Sequence, residues 1–357
     1  MKIGIITYHR HNNFGALLQA YALQTKLLQL GADAEIIDYL CKYDRNPLSI
    51  RALKNKGVLG YILGILGPVS RIPRYFKCKL FRKKLLISKT VTKKTILTLG
   101  DAYDLYIAGS DNVWNYSITD LDPNYFLDFV DNDKKKGSYA ASFGFERIPK
   151  ELERQYTNLL KDFNYFYLRE SSGVKIIKDL LNKESEVVLD PTMLLTQEEW
   201  TNICSSQPIV KGDYILAYQL VPSKSFVQFT GRLSAATNLK VIFISFPMGG
   251  FIRCTLGLTP GPIEWLNLIK NASYVVTDSF HGTAFSVLFH KNFYVKITQL
   301  GTRIENLLEL LELKDRIIKD CMLPDITQKI NYRQVEEILQ KARKRSVSLL
   351  EKMLYQS

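Results

Sequence analysis

Met1-Lys2-Ile3-Gly4-Ile5-Ile6-Thr7-Tyr8 is an apolar run, a polar loop from His9 to Gly15 follows it, and a helical pattern then extends from Ala16 to Leu30 and closes at Gly31. Ala34 to Tyr39 reads as a second strand. Strand, loop, helix and strand in that order open a doubly wound α/β domain, in which a right-handed crossover lays the two strands parallel. Working outward, strands are expected at 105–108, 125–129, 136–141, 165–168 and 187–189, with helices at 149–163 and 170–181. Thr196-Gln197-Glu198-Glu199-Trp200 is a capping box that starts a helix and marks the passage to a second series. In that series strands at 214–218, 240–245 and 274–277 alternate with helices at 224–236, 262–270 and 282–289. The expected fold class is α/β, with two Rossmann-like doubly wound domains facing a cleft. The expected domains are 1–195, 196–330 and a C-terminal helix at 331–357, packed back across the first domain.

A chain of 357 residues exceeds the usual single-domain range, and 46% apolar with 23% charged residues is ordinary for a soluble globular protein. No signal peptide is expected at the start. The greasiest stretch, Val58 to Val69, is broken by Gly60, Gly64, Gly67 and Pro68 and is too short to span a bilayer. Cys41, Cys78, Cys204, Cys254 and Cys321 are scattered without C-x-x-C or Cys/His pairing, so neither a disulfide framework nor a metal site is expected, and a reducing cytoplasm fits. The net charge of +13 is local: 45–94 holds 14 Lys and Arg and no acid, which leaves about −1 for the rest of the chain. The expected partner of 45–94 is an anionic membrane surface at the inner face of the cell membrane, with a solvated insertion as the other reading. Nucleic acid is not expected, since no recognition motif accompanies the charge.

Chemistry-bearing residues gather where strands end. Tyr274 to Thr277 is followed by Asp278-Ser279-Phe280-His281-Gly282-Thr283, which puts a histidine at a sheet's carboxyl edge beside a helix N-terminus, a place suited to anions. The bland alternative is that Ser279 or Asp278 merely caps a helix and His281 packs. Gly109-Ser110-Asp111 ends another strand and supplies a tight turn, a hydroxyl and a carboxylate, or simply an Asx turn. Asn13, Phe14 and Gly15 form the first loop, which lacks the glycine fingerprint of dinucleotide sites. Arg169 follows the strand at 165–168 directly, so its guanidinium is expected to emerge at a sheet edge, for an anion or for Glu170 and solvent.

These pieces occur in a known order: Asn13-Phe14-Gly15-Ala16 with Leu18-Gln19-Ala20, Gly109-Ser110-Asp111 with Trp114, Arg169-Glu170, Asp190-Pro191-Thr192, and Thr277-Asp278-Ser279-Phe280-His281-Gly282. Together they resemble the polysaccharide pyruvyl transferases, in the branch that reads Ser-Phe-His-Gly. The resemblance implies a fold similar to GT-B glycosyltransferases and transfer of pyruvyl from phosphoenolpyruvate to sugar hydroxyls, without metal or cofactor. The implied acceptor is a surface glycan or its lipid-linked precursor. By the same matching His281 resembles the family's essential histidine and Arg169 its donor-binding arginine. From their own chemistry and position, Asp111 is expected to join His281 in catalysis by orienting or deprotonating an acceptor hydroxyl, Ser279, Gly282, Thr283 and Arg303 to bind the donor, and Asn13, Phe14, Gly15 and Ser110 to line the acceptor or cleft loop. Many members carry arginine where this chain has Ser279, and Arg303 is the substitute nearest in sequence after the histidine helix. A nucleotide-sugar glycosyltransferase on the same fold, and a non-catalytic glycan-binding protein, are the competing readings.

Overall fold

The computed structural model describes residues 1–41, 72–131, 133–245, 253–254, 259–298, 301–319 and 321–355. Within the basic stretch, Arg45, Arg51, Lys54, Lys56, Arg71 and the run Val58 to Val69 lie outside the described residues. The chain divides into two compact units, Met1–Asp44 with Arg82–Leu195 and Glu337–Ser357, and Arg45–Phe81 with Thr196–Glu336. One passage between them thus falls at Leu195/Thr196. Residues 72–81, expected with the first domain, go with the second unit. The last helix from Glu337 on goes with the first.

The elements run β1 Lys2–Ile6, α1 Phe14–Gln29, β2 Asp33–Ile36, β3 Tyr39–Leu40, α2 over 72–82, β4 Val91–Thr92, β5 Leu105–Ala108, α3 Tyr116–Thr119, β6 Lys135–Ala141, α4 Lys150–Leu160, β7 Tyr165–Leu168, α5 Ser171–Leu181 and β8 Glu186–Val187. They continue with α6 Gln197–Ile203, β9 Tyr214–Gln219, α7 Lys224–Thr237, β10 Lys240–Ser245, β11 Arg253–Cys254, α8 Pro262–Asn271, β12 Tyr274–Thr277, α9 Phe280–Leu288, β13 Asn292–Val295, α10 Thr302–Leu310 and α11 Tyr332–Tyr355.

In the first unit six strands lie in the order β2-β1-β5-β6-β7-β8, every neighbouring pair parallel. Ile3, Ile5 and Ile6 of β1 and all of β5 are buried, which is why these strands read as continuous apolar runs and not as alternation. Helix α1 starts because the Asn13 side chain accepts from the Ala16 N–H at 3.3 Å. It stops because Gly31, at φ +81°, turns the chain left-handed, so that Ala32 N–H reaches Leu27 and Gly31 N–H reaches Leu28. Trp114 anchors the core among Phe126, Phe143, Phe163 and Phe166, and its Nε1 donates to the Tyr125 carbonyl at 3.1 Å. That packing overturns the strand expected at 125–129. The apolar residues there are buried by a 3₁₀ turn, Pro123–Phe126, capped by Asp122 and ended by Leu127 in a left-handed conformation. Helix α11 closes this unit: Ser346 accepts from the Leu189 N–H, Arg343 donates to the Met193 carbonyl, and Tyr355 donates to Leu30.

The second unit holds five strands ordered β11-β10-β9-β12-β13, parallel except for the short β11. Phe226 and Phe229 of α7 cover the sheet beside Val276 and Tyr294. Phe285 of α9 takes the edges of Trp200 and Trp265. In both sheets the strand that starts the series lies between its successor and a later strand, β1 between β2 and β5, β9 between β10 and β12. The crevice outside the carboxyl ends of such a pair is where open α/β sheets bind ligands.

Candidate functional site

In the second unit the switch lies between β9 and β12, and the turn after β12 carries the histidine cluster. Ser279 is the N-cap of α9: its hydroxyl accepts from the Gly282 N–H at 3.3 Å, and its own N–H donates to Thr277 Oγ1 at 3.1 Å. Gly282 is obligatory here, since a Cβ would lie 2.5 Å from Thr277 Oγ1. The Thr283 hydroxyl donates back to the Ser279 carbonyl at 3.0 Å. Ser279, Gly282 and Thr283 thus build the turn. The helix begins two residues earlier than expected, so His281 sits inside its first turn, 9% exposed, with its ring edge-on to Phe280.

Asp278, read from the sequence as no more than a possible cap, reaches back to the loop after β9, where its carboxylate accepts from the Leu220 N–H at 2.7 Å and the Val221 N–H at 2.8 Å. Burial pushes its pKa up to about 6, and the two N–H donors oppose that shift without cancelling it. The two loops at the switch are therefore joined through one hard-to-ionise carboxyl. Arg303 lies in the first turn of α10, a helix packed against α9.

In the first unit the switch lies between β1 and β5. Ser110 and Asp111 follow β5, and Arg169 follows β7. The guanidinium does not emerge at the edge: the residue is 4% exposed, and its Nη1 donates to Asp190 Oδ2 at 3.0 Å while Nη2 lies 3.6 Å from Asp111 Oδ1. Burial works against its charge, but Asp190, Asp111 and Glu170 outweigh this and raise its pKa. Ser110 donates to the same Asp190 oxygen at 3.0 Å, and the other Asp190 oxygen accepts from the N–H and hydroxyl of Thr192. The Asp-Pro-Thr motif thus anchors Arg169. Asp111 holds a left-handed φ of +81°, uncommon for a residue with a Cβ, and its Oδ1 accepts from the Asn112 N–H at 2.8 Å.

Of the first-loop candidates, Asn13 caps α1, Phe14 is wholly buried in the core, and Gly15 is buried in the helix's first turn. Sequence reasoning missed what lies beside them. Asp38 accepts from His9 Nε2 at 2.7 Å, from Arg10 through Nε at 2.8 Å and Nη2 at 2.6 Å, and from the Thr90 hydroxyl. Burial would raise the Asp38 pKa, but bonds from His9, Arg10 and Thr90 hold it well below the usual carboxylate range. No local pattern signals this network, because its bonded members are up to 80 residues apart.

The structure therefore groups Ser110, Asp111 and Arg169 in the first unit and Ser279, His281, Gly282 and Thr283 in the second. Among the described residues no group of three or more His, Cys, Asp or Glu is placed to hold a metal ion, and no helix is long and apolar enough to cross a membrane.

A family model described as polysaccharide pyruvyl transferase matches residues 13–296. No curated protein sequence matches the chain. Similar solved structures include a putative UDP-N-acetylglucosamine 2-epimerase from Listeria monocytogenes, at TM-score 0.53 and 8% identity over 100% of this chain and 97% of that one. Another is the UDP-GlcNAc 2-epimerase of Methanocaldococcus jannaschii, at TM-score 0.51 and 14% identity over 98% of this chain and 99% of that one. At such identities the likeness is one of fold, two Rossmann-like α/β domains of the GT-B type.

Proposed function

The chain belongs to the polysaccharide pyruvyl transferase family, and from that membership we propose that it moves pyruvyl from phosphoenolpyruvate onto two hydroxyls of one sugar, in a surface polysaccharide or its lipid-linked precursor. The observation that carries the reading is His281 in the first turn of α9, directly after a switch-point strand. Partial positive charge at such a helix start favours the carboxylate and phosphate of the donor, with Arg303 on the adjoining α10 as a further cation. As one sugar hydroxyl attacks C2, C3 takes up a proton, which His281 delivers; the second hydroxyl then displaces inorganic phosphate and closes the ketal. Arg169 is assigned to holding Asp111, not to clamping the donor, since Asp190 and Asp111 already neutralise it.

The test is incubation with phosphoenolpyruvate or a UDP-sugar and a panel of nitrophenyl and lipid-linked hexosides, with EDTA present and the product read by mass. A ketal adduct with one phosphate released per turnover supports the assignment. Turnover with the UDP-sugar alone makes the protein a glycosyltransferase, loss of turnover restored by Mg²⁺ ends the metal-free mechanism, and binding without turnover makes it a glycan-binding protein.

A further inference from the structure

Helix α2 has one face that the protein uses and one that it leaves in solvent. On the used face Cys78 and Phe81 are buried, the Lys77 stem packs on Gly261, and its Nζ pairs with Glu264 at 2.7 Å. Arg82, which ends the helix, donates to the Arg10 carbonyl at 2.6 Å. On the other face Phe76 is 60% and Leu80 64% exposed, four residues apart and so on one side of the helix, with Lys79 exposed between them. Exposed Lys83 and Lys84 follow. No acid interrupts 72–94.

An exposed aromatic and leucine edged by lysines is the composition of a helix that lies in a lipid interface, its apolar side chains among the acyl boundary and its cations at the headgroups. We infer that α2 and the lysines after it dock this protein on an anionic membrane surface, with Phe76 and Leu80 entering the interface and Lys79, Lys83 and Lys84 facing lipid phosphates. Charge complementarity decides the occupant: a neutral protein groove would cover Phe76 and Leu80 but leave three cations unanswered. Lys77 and Arg82 are not part of the surface, because each already has a protein partner.

The experiment is sedimentation of the full chain with sucrose-loaded vesicles, phosphatidylcholine alone or with roughly one-third phosphatidylglycerol, which supplies the anionic surface. Wild type is expected to sediment with the anionic vesicles and to come off as salt rises well above about 0.1 M. Lys79→Gln/Lys83→Gln/Lys84→Gln should lower partitioning about 100-fold, three cations each worth roughly fivefold. Phe76→Ser/Leu80→Ser should weaken binding while leaving its salt dependence in place. Both variants change solvent-exposed side chains, and unchanged thermal midpoints confirm that each is folded. Lys77→Gln, a change on the used face, should leave partitioning at the wild-type level. Equal binding to neutral vesicles, no binding to either, or tighter capture by duplex DNA through the same lysines overturns the inference. None of these readouts involves donor or turnover, so this inference stands or falls separately from the pyruvyl-transfer reading.

Discussion

The turn after β12 and the turn after β5, which Arg169 reaches from the end of β7, occupy corresponding places in two sheets of the same kind, yet they treat charge in opposite ways. In the first unit a buried guanidinium is matched by two carboxylates of the same unit. In the second a single buried carboxyl has only backbone N–H donors, and its pKa is raised to about 6. Residue type at a strand's end therefore does not fix a residue's task; the count of opposite charges supplied by its own unit does. Arg169 is answered by charge from its own unit, whereas the histidine turn is built from hydroxyl and backbone bonds.

The hardest test of that contrast is Arg169→Ala. Removing the cation leaves Asp190, 2% exposed, without its counter-charge, and stripping one partner from a buried pair costs about 3–5 kcal/mol. Urea unfolding should show that loss. A variant as stable as wild type that has lost only its affinity for phosphoenolpyruvate would restore Arg169 to the donor and break the comparison.

Asp278 comes next. Its folded pKa, about 6, lies above the ordinary 3.8, so the folded chain holds the proton more tightly than the unfolded one. Stability contributed by this group falls as pH rises from about 4 to 6, by at most roughly 3 kcal/mol, and the cost is complete above that window. Asp278→Asn cannot ionise, though its amide satisfies only one of the two N–H groups. Relative to wild type it should therefore gain as pH rises from 4 to 7. Urea midpoints of both proteins across that range decide it, and a flat difference would mean that Asp278 is not held back from ionising.

His281→Ala should cost chemistry and not folding. A lost acid/base group lowers kcat by about 10² or more, while donor affinity and the thermal midpoint stay near wild type. Steady-state kinetics beside calorimetric titration of phosphoenolpyruvate separates the two. A drop in stability as large as that of Arg169→Ala would show the histidine to be a packed residue.

Much of this architecture was legible because parallel strands buried on both faces leave unbroken apolar runs, as at Ile3 to Ile6 and Val275 to Val276. The same signal misled at 125–129, where Tyr125, Phe126 and Phe129 are buried by the Trp114 cluster and not by a sheet. Of the site, the histidine turn could be read because its parts are contiguous: the Thr277, Ser279 and Thr283 hydroxyls and the Gly282 N–H are joined within the turn, with Thr277 also donating to the Tyr218 carbonyl. Arg169 could be recognised as a residue but not in its burial. Its partners Asp111 and Asp190 lie 58 and 21 positions away in the chain, and only the fold brings them together. The reach of Asp278 to Leu220, and the ring of His9, Arg10 and Thr90 around Asp38, are hidden for the same reason.

The smallest effect is expected at Ser279, which stands where many members of the family carry arginine. Its hydroxyl is committed to the Gly282 N–H, so Ser279→Ala should cost what a lost N-cap costs, about 1 kcal/mol of stability, and change donor affinity little. Ser279→Asp restores an acceptor at the cap and should recover the stability, while its negative charge at the helix start should weaken a dianionic donor. The pair of variants thus separates capping from binding at one position. If Ser279→Ala keeps its unfolding midpoint but loses donor affinity tenfold or more, the hydroxyl contacts the donor directly, and the turn of the second unit is a ligand shell and not scaffolding for His281.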